Sequence, residues 1–174
     1  MSLMLRKIRQ ARWYKHAFSW LATGQIPADP IGDLQTAENQ LSVWHINEDH
    51  SNLEDVIVAI AACRDAAANF DYALFDEQVC SELNLEIEHT VGNTPNNDVN
   101  QKWHRHLVKL SADKLLKLAK LIYEKGETKR IREKEIPKMI AGASLAGKIP
   151  IKSIKPNLQC KVITTPLWKT SSSS

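Results

Sequence analysis

Leu41-Ser42-Val43-Trp44-His45-Ile46, followed closely by Ser51-Asn52-Leu53-Glu54-Asp55-Val56-Ile57-Val58-Ala59-Ile60-Ala61, decides the fold class. The first six residues are rich in β-branched and aromatic side chains and read as a strand. In the second stretch Leu53, Val56, Ile57, Ile60 and Ala61 recur at i, i+3, i+4, i+7 and i+8, which lines one face of a helix. Ser51 and Glu54 have the spacing of a capping box, each satisfying the other's backbone N–H. Asp55 adds negative charge where the helix dipole is positive. The spacing predicts a helix over 52–68, and a strand leading into a helix points to an α+β domain.

Toward the C-terminus, Asp71–Leu83 reads as a shorter helix that buries Tyr72, Phe75, Val79 and Leu83. Leu85–Val91 alternates strictly, with Leu85, Ile87, His89 and Val91 on one face and Glu86, Glu88 and Thr90 on the other. That is a half-buried strand with one wet side. Gly92-Asn93-Thr94-Pro95 is a turn in which Thr94 caps a helix and Pro95 takes its first position. Residues 98–125 read as helix, either continuous or as two helices meeting near Ser111, with Gly126 as the stop. A helix over 131–142 follows, in which Pro137 forces a kink or a later start. Lys148–Leu158 reads as turns, Lys161–Thr164 as a short edge strand, and the tail from Pro166 as disordered.

Toward the N-terminus, Met4, Ile8, Ala11, Lys15 and Phe18 fit an amphipathic helix, with a strand through Ala11–Tyr14 as the alternative. The expected architecture is α+β and helix-rich: a small two- or three-stranded sheet packed on helices, with a basic helical C-terminal part. By segment, this gives a basic amphipathic stretch at 1–26, an α+β core at 35–125, a basic helical extension at 126–165 and a disordered tail at 166–174.

Charge is sorted along the chain. Residues 1–28 carry five basic side chains and no acid, residues 29–101 carry 15 acids and one base, and residues 102–174 carry 17 bases and five acids. The net charge of +3 hides this pattern. Such sorting bears on partners and solubility rather than on fold. The longest apolar run, Val56–Cys63, is far short of the ~20 residues a membrane-spanning helix needs. No apolar core with a small-residue cleavage site follows the basic N-terminus, so no secretory signal is read. Cys63, Cys80 and Cys160 are odd in number and widely spaced, as in a cytoplasmic protein with reduced thiols.

No motif fixes a reaction. There is no Gly-rich phosphate loop, no Gly-x-Ser-x-Gly elbow and no His-Glu-x-x-His helix. Cys80 lies near Glu77 and Glu82, which disfavour its thiolate. His45 and His50, in the polar run His45–Asp55, are weak metal candidates, and His89 joins them if its strand pairs with that of His45. Trp103-His104-Arg105-His106 on one helical turn offers a ring and cations to nucleic acid. The basic helices either side of Gly126 have the look of a helix–turn–helix reader.

These features lean away from an enzyme. The first reading is a non-enzymatic cytoplasmic protein acting through macromolecular contacts, as an accessory subunit, an inhibitor or an immunity-type protein, or by self-association. The second is a nucleic-acid-binding protein using basic helices within 102–138. The third is a small metal-dependent hydrolase built on the His45–Asp55 cluster. No cofactor and no membrane contact are expected. The candidate contact residues are Arg6, Arg9, Arg12, Lys15, Lys102, Arg105, Lys109, Lys117, Lys120, Arg130 and Arg132.

Overall fold

A computed structural model describes residues 2–14, 21–22 and 24–171. Among them the chain runs β1 (Leu3–Ile8), a 3-10 turn (Gln10–Trp13), α1 (Ala28–Ile31), a second 3-10 turn (Gly32–Leu34), β2 (Leu41–Ile46), α2 (Leu53–Ala62), β3 (Phe70–Asp76) and α3 (Gln78–Glu82). It continues through β4 (Glu86–His89), α4 (Asn97–Trp103), β5 (His104–Val108), α5 (Ala112–Lys125), β6 (Glu127–Ile131), α6 (Ile136–Leu145), a 3-10 turn (Ile151–Ser153), α7 (Pro156–Ile163) and α8 (Pro166–Ser171). The strands make one six-stranded antiparallel sheet in the order β4-β5-β2-β1-β3-β6. The class is α+β as expected, but the small two- or three-stranded sheet is wrong. Of the four further strands, β1, β3 and β5 lie in segments read as helix and β6 in the joint between two predicted helices.

Each error has a physical cause. In β1, Met4 and Ile8 are four residues apart, which suits a helix face and a strand face alike. Arg6 stands between them on the same face and conceals the alternation. It is satisfied internally: Nη1 donates to the Ser42 carbonyl at 2.7 Å, while Nε and Nη2 donate to the Asp33 carbonyl at 3.2 and 3.0 Å. The predicted N-terminal helix is therefore a strand and a 3-10 turn through residue 13, and its remainder at 15–20 lies outside the described residues.

In β3 every residue from Phe70 to Phe75 is buried, so no wet face exists to show a period of two. The helix expected over 71–83 shrinks to α3, which begins where Asp76 Oδ1 accepts from the Gln78 N–H at 2.8 Å. The helix expected over 98–125 is α4, β5 and α5 in succession. Trp103, Leu107 and Leu110 have helical spacing, but β5 is hydrogen-bonded on both edges, to β4 and β2, and tertiary pairing outweighs local periodicity. Lys109, at φ +55, then turns the chain. Ser111 Oγ caps α5 by accepting from the Lys114 N–H at 3.2 Å.

At the C-terminus, Pro137 falls in the first turn of α6, so the helix starts late rather than kinking. The edge strand at 161–164 and the disordered tail are replaced by α7 and α8, each opening on a proline, where a missing N–H costs nothing. Residues 172–174 lie outside the described residues. Helix α2 ends at Ala62 rather than 68, and its N-cap, Asn52, makes no side-chain cap bond. At the start of α4 it is Asn96, not Thr94, that caps, accepting from the Val99 N–H at 3.2 Å.

The chain forms two units, each stitched from three segments. The first holds residues 1–50, 71–90 and 104–130. Its core is one face of the sheet, with Met4, Ile8, Leu41, Val43, Ala73, Phe75 and Leu107, closed by Leu118, Ala119 and Ile122 of α5. Those three are the buried stripe of an amphipathic helix, flanked by the partly buried Leu115, Leu121 and Tyr123. The second unit holds residues 51–70, 91–103 and 131–174. There α6 packs on α2, α7 and α8, and Val56, Ile136, Ile140, Leu158 and Val162 are buried. No helix among the described residues is long and apolar enough to cross a membrane.

Candidate anion-binding site

The concentration of functional side chains in the first unit lies at one end of the sheet face that carries its core. Val43 of β2 pairs with Arg105 of β5, and His89 of β4 pairs with the same Arg105. His45 lies two residues beyond Val43, on the same face. Directly paired side chains in such a sheet start about 5 Å apart and diagonal ones about 7–8 Å apart. Beyond His45, where β3 gives way to α3, Glu77 brings Oε2 to 4.0 Å from His45 Nε2. The order across the sheet is Glu77, His45, Arg105, His89.

Local structure fixes Glu77. Its backbone N–H donates to the Ser2 carbonyl at 3.1 Å, and the Ser2 hydroxyl donates to its carboxylate. Arg105 Nη1 donates to the His104 carbonyl at 2.8 Å, which orients the guanidinium. Solvent reaches the strip: the His45 and Glu77 side chains are 22% and 36% exposed, and His89 is exposed.

Burial lowers the His45 pKa; Glu77 opposes that shift and Arg105 adds to it. His45 is therefore neutral near pH 7. Burial also lowers the Arg105 pKa while Glu77 raises it, and a guanidinium stays cationic throughout. A fixed cation between two imidazoles repels a metal ion and attracts an anion. Among the described residues, no group of three or more His, Cys, Asp and Glu is placed to hold a metal.

The structure separates residues that the sequence reading grouped. His45 and His89 do not sit on paired strands, because β5 runs between theirs. Trp103-His104-Arg105-His106 is not one helical turn: Arg105 faces the strip, while His104 and His106 point to the opposite face. There the His104 ring lies edge-on to Trp44, centroids 4.7 Å apart, and to His106 at 4.8 Å. Thr90 Oγ1 lies 2.8 Å from His104 Nδ1, and Ser42 Oγ lies 3.1 Å from His106 Nε2. Burial first and His106 second push the His104 pKa down to about 4. His50 is exposed in a tight turn at φ +59.

The N-terminal bases converge on Asp33, whose side chain is 6% exposed. One carboxylate oxygen accepts from the Arg9 backbone N–H at 2.8 Å and from Trp13 Nε1 at 2.9 Å, and the other accepts from Arg12 Nη1 at 3.1 Å. Lys15 lies outside the described residues. Lys102 pairs with Asp98, Lys109 with Glu86, Lys117 with Asp113 and Lys120 with Glu124. Arg130 holds both oxygens of Asp71 at 2.6 and 2.8 Å. The Arg132 backbone N–H donates to Glu135 at 3.1 Å. The segment 102–138 contains β5 and β6 and has no helix–turn–helix.

Glu77 is the strip residue that sequence reasoning did not connect with His45. No local signal joins residues 32 positions apart, and β1 between their strands makes the meeting. Cys80, buried behind Glu77, has its thiol pKa pushed up to about 12, first by burial and then by Glu77, and is not a nucleophile. No family model, no curated protein and no solved structure matches the chain.

Proposed function

We propose that this protein binds a phosphate group at the strip formed by His45, Arg105 and His89, and acts by holding a phosphate-bearing ligand there. The observation that supports the reading is the register: Arg105 directly opposite His89, with His45 diagonal to it on the same open face. A guanidinium presents two parallel N–H donors that match two phosphate oxygens, and an imidazole on either side adds a donor. Glu77 at the far end keeps His45 oriented and does not face the anion.

The charge blocks that suggested a macromolecular partner are largely spent on each other, which leaves this strip as the concentrated polar chemistry. Cys63 and Cys160 are exposed and outside any disulfide, which fits a reducing, cytoplasmic setting. The test is a titration of the full-length protein with inorganic phosphate, followed by the His45 and His89 ring proton resonances. Both should shift together in the native protein. Arg105→Gln should weaken binding at least tenfold, while Lys117→Gln, on α5, should leave it unchanged. Failure of both histidines to respond to ~50 mM phosphate, or equal binding by Arg105→Gln, would remove the proposal; losing a charge-assisted bond costs about 1.5–3 kcal/mol, roughly tenfold or more.

A further inference from the structure

We infer that the strip cleaves RNA, breaking a phosphodiester by attack of the neighbouring 2′-hydroxyl, with no metal ion. This rests on the phosphate-binding reading and extends it to a substrate. Such a cleavage needs a base beside the 2′-hydroxyl, a cation over the non-bridging oxygens, and an acid beside the departing 5′-oxygen. Base and acid must stand on opposite sides of phosphorus, because the displacement is in line.

The order across the sheet meets this demand. Arg105 lies in the middle, Glu77 with His45 lies to one side, and His89 lies to the other. Strands β2 and β4 flank β5, so they stand about 10 Å apart, two strand spacings. Side chains from both can close on a phosphate held above the central strand. Glu77 is anchored by Ser2 through both its backbone and its carboxylate, as a group that orients the His45 base requires. His89 is exposed on the edge strand, where a departing strand of RNA has room.

The step balances without a co-reactant. The 2′-oxygen forms a bond to phosphorus and gives its proton to the His45 imidazole, and Glu77 stabilises the imidazolium that forms. The bond from phosphorus to the 5′-oxygen breaks, and that oxygen takes a proton from the His89 imidazolium. The products are a 2′,3′-cyclic phosphate and a 5′-hydroxyl, and no atom changes oxidation state. His45, Arg105 and His89 touch the reacting groups, while Glu77 is a positioning residue that acts through His45. A shallow, open sheet face admits a single strand, whose phosphates and 2′-hydroxyls are accessible. DNA lacks the internal nucleophile and binds without being cut.

The experiment uses the full-length protein in excess EDTA and a fluorescent oligoribonucleotide. A matched oligonucleotide carries one 2′-deoxy residue at the site of cleavage. The expected result is cleavage of the first to a cyclic phosphate, identified by mass, with the second bound equally well and uncut. His45→Gln and His89→Gln should each slow cleavage roughly 100-fold or more. His89→Gln is an exposed change, so its melting curve should match that of the native protein. Glu77 raises the His45 pKa, so Glu77→Gln should move the acidic limb of the pH–kcat profile to lower pH, which a merely structural loss would not do. If the deoxy oligonucleotide binds but the ribo-oligonucleotide stays intact, cleavage is overturned and phosphate binding stands. If neither binds, both fail. Cleavage that survives in both His45→Gln and His89→Gln also overturns the inference.

Discussion

Replacing Asp33 tests whether the basic N-terminus is held inside the fold. The Asp33 carboxylate accepts from the Arg9 backbone N–H, Trp13 Nε1 and Arg12 Nη1, and its side chain is 6% exposed. Asp33→Ala leaves those donors without their acceptor, and Trp13 is itself buried. Hydrogen bonds to a charged acceptor contribute about 1.5–3 kcal/mol each when shielded. The bond from the part-exposed Arg12 is worth less than about 1 kcal/mol. The change also strips a compensating negative charge from Arg6, whose pKa burial lowers and Asp33 raises. Together these predict a loss of about 3–5 kcal/mol, as when one partner of a buried pair is removed. Asp33→Asn keeps one acceptor oxygen and should lose roughly 2–3 kcal/mol. Urea denaturation should show a lower midpoint at unchanged slope, and the melting temperature should fall by about 2–4 °C per kcal/mol. Arg12→Ala is the control and should cost under about 1 kcal/mol. A cost below about 1 kcal/mol for Asp33→Ala, or equal costs for the two alanine variants, would refute the assignment of Asp33 as the organising acceptor.

Two further outcomes are expected. The folded-state pKa of His104, about 4, lies below the ordinary 6.5, so between those values the unfolded chain binds the extra proton and stability falls as pH falls. The loss should approach about 3 kcal/mol by pH 4 and flatten in His104→Gln; a denaturation midpoint independent of pH from 6.5 to 4 would contradict this. Gly126 closes α5 by donating to the Ile122 carbonyl at 2.8 Å, and a Cβ built there would overlap that same oxygen. Gly126→Ala should therefore destabilise by about 1–3 kcal/mol in a thermal melt, whereas a neutral or stabilising effect would show that φ alone governs the site.

What could be read from the chain depended on whether a segment keeps a wet face. Strand β4 was legible because Glu86 and Glu88 face solvent while Ile87 packs inward. Strand β2 was legible from its β-branched and aromatic content. Helix α2 was legible from its apolar periodicity, even though the capping signal at Ser51 placed its start without supplying its cap. Strand β3 was not legible, because burial on both sides erased the alternation and left Tyr72, Phe75 and Val79 at intervals that mimic a helix. Strand β5 was not legible for a different reason: its histidines and Arg105 are polar on both faces, and only pairing with β4 and β2 makes it a strand. The candidate site inherits this gap. His45 and His89 stood out as residues, but their relation depends on β5 lying between their strands, and that is a property of strand order rather than of spacing.

The sorted charges take on a different meaning once the strand order is known. The first unit contains 13 basic and 14 acidic side chains, and the second contains ten basic and six acidic. Blocks opposite in sign along the chain are thus interleaved in space. Glu86 at the edge strand meets Lys109 just past β5, and Glu82 of α3 meets Lys125 at the end of α5. Asp71 in β3 takes Arg130 of β6, and in the second unit Asp55 and Asp65 take Lys148 and Lys155. Most of these pairs are solvent-exposed, and each is worth at most about 1 kcal/mol, so they do not explain why the protein is stable. Like charges set opposite each other would be unfavourable, so the blocks disfavour wrong pairings. An antiparallel sheet whose neighbours are remote in sequence must choose among several registers and edges. An acidic middle that is repelled by itself and attracted to both flanks narrows that choice. The pairs of Asp71, Glu82 and Glu86 with Arg130, Lys125 and Lys109 also favour residues 71–90 lying beside 104–130. Arg105 remains at the centre of the one row where the sheet gathers Glu77, His45 and His89.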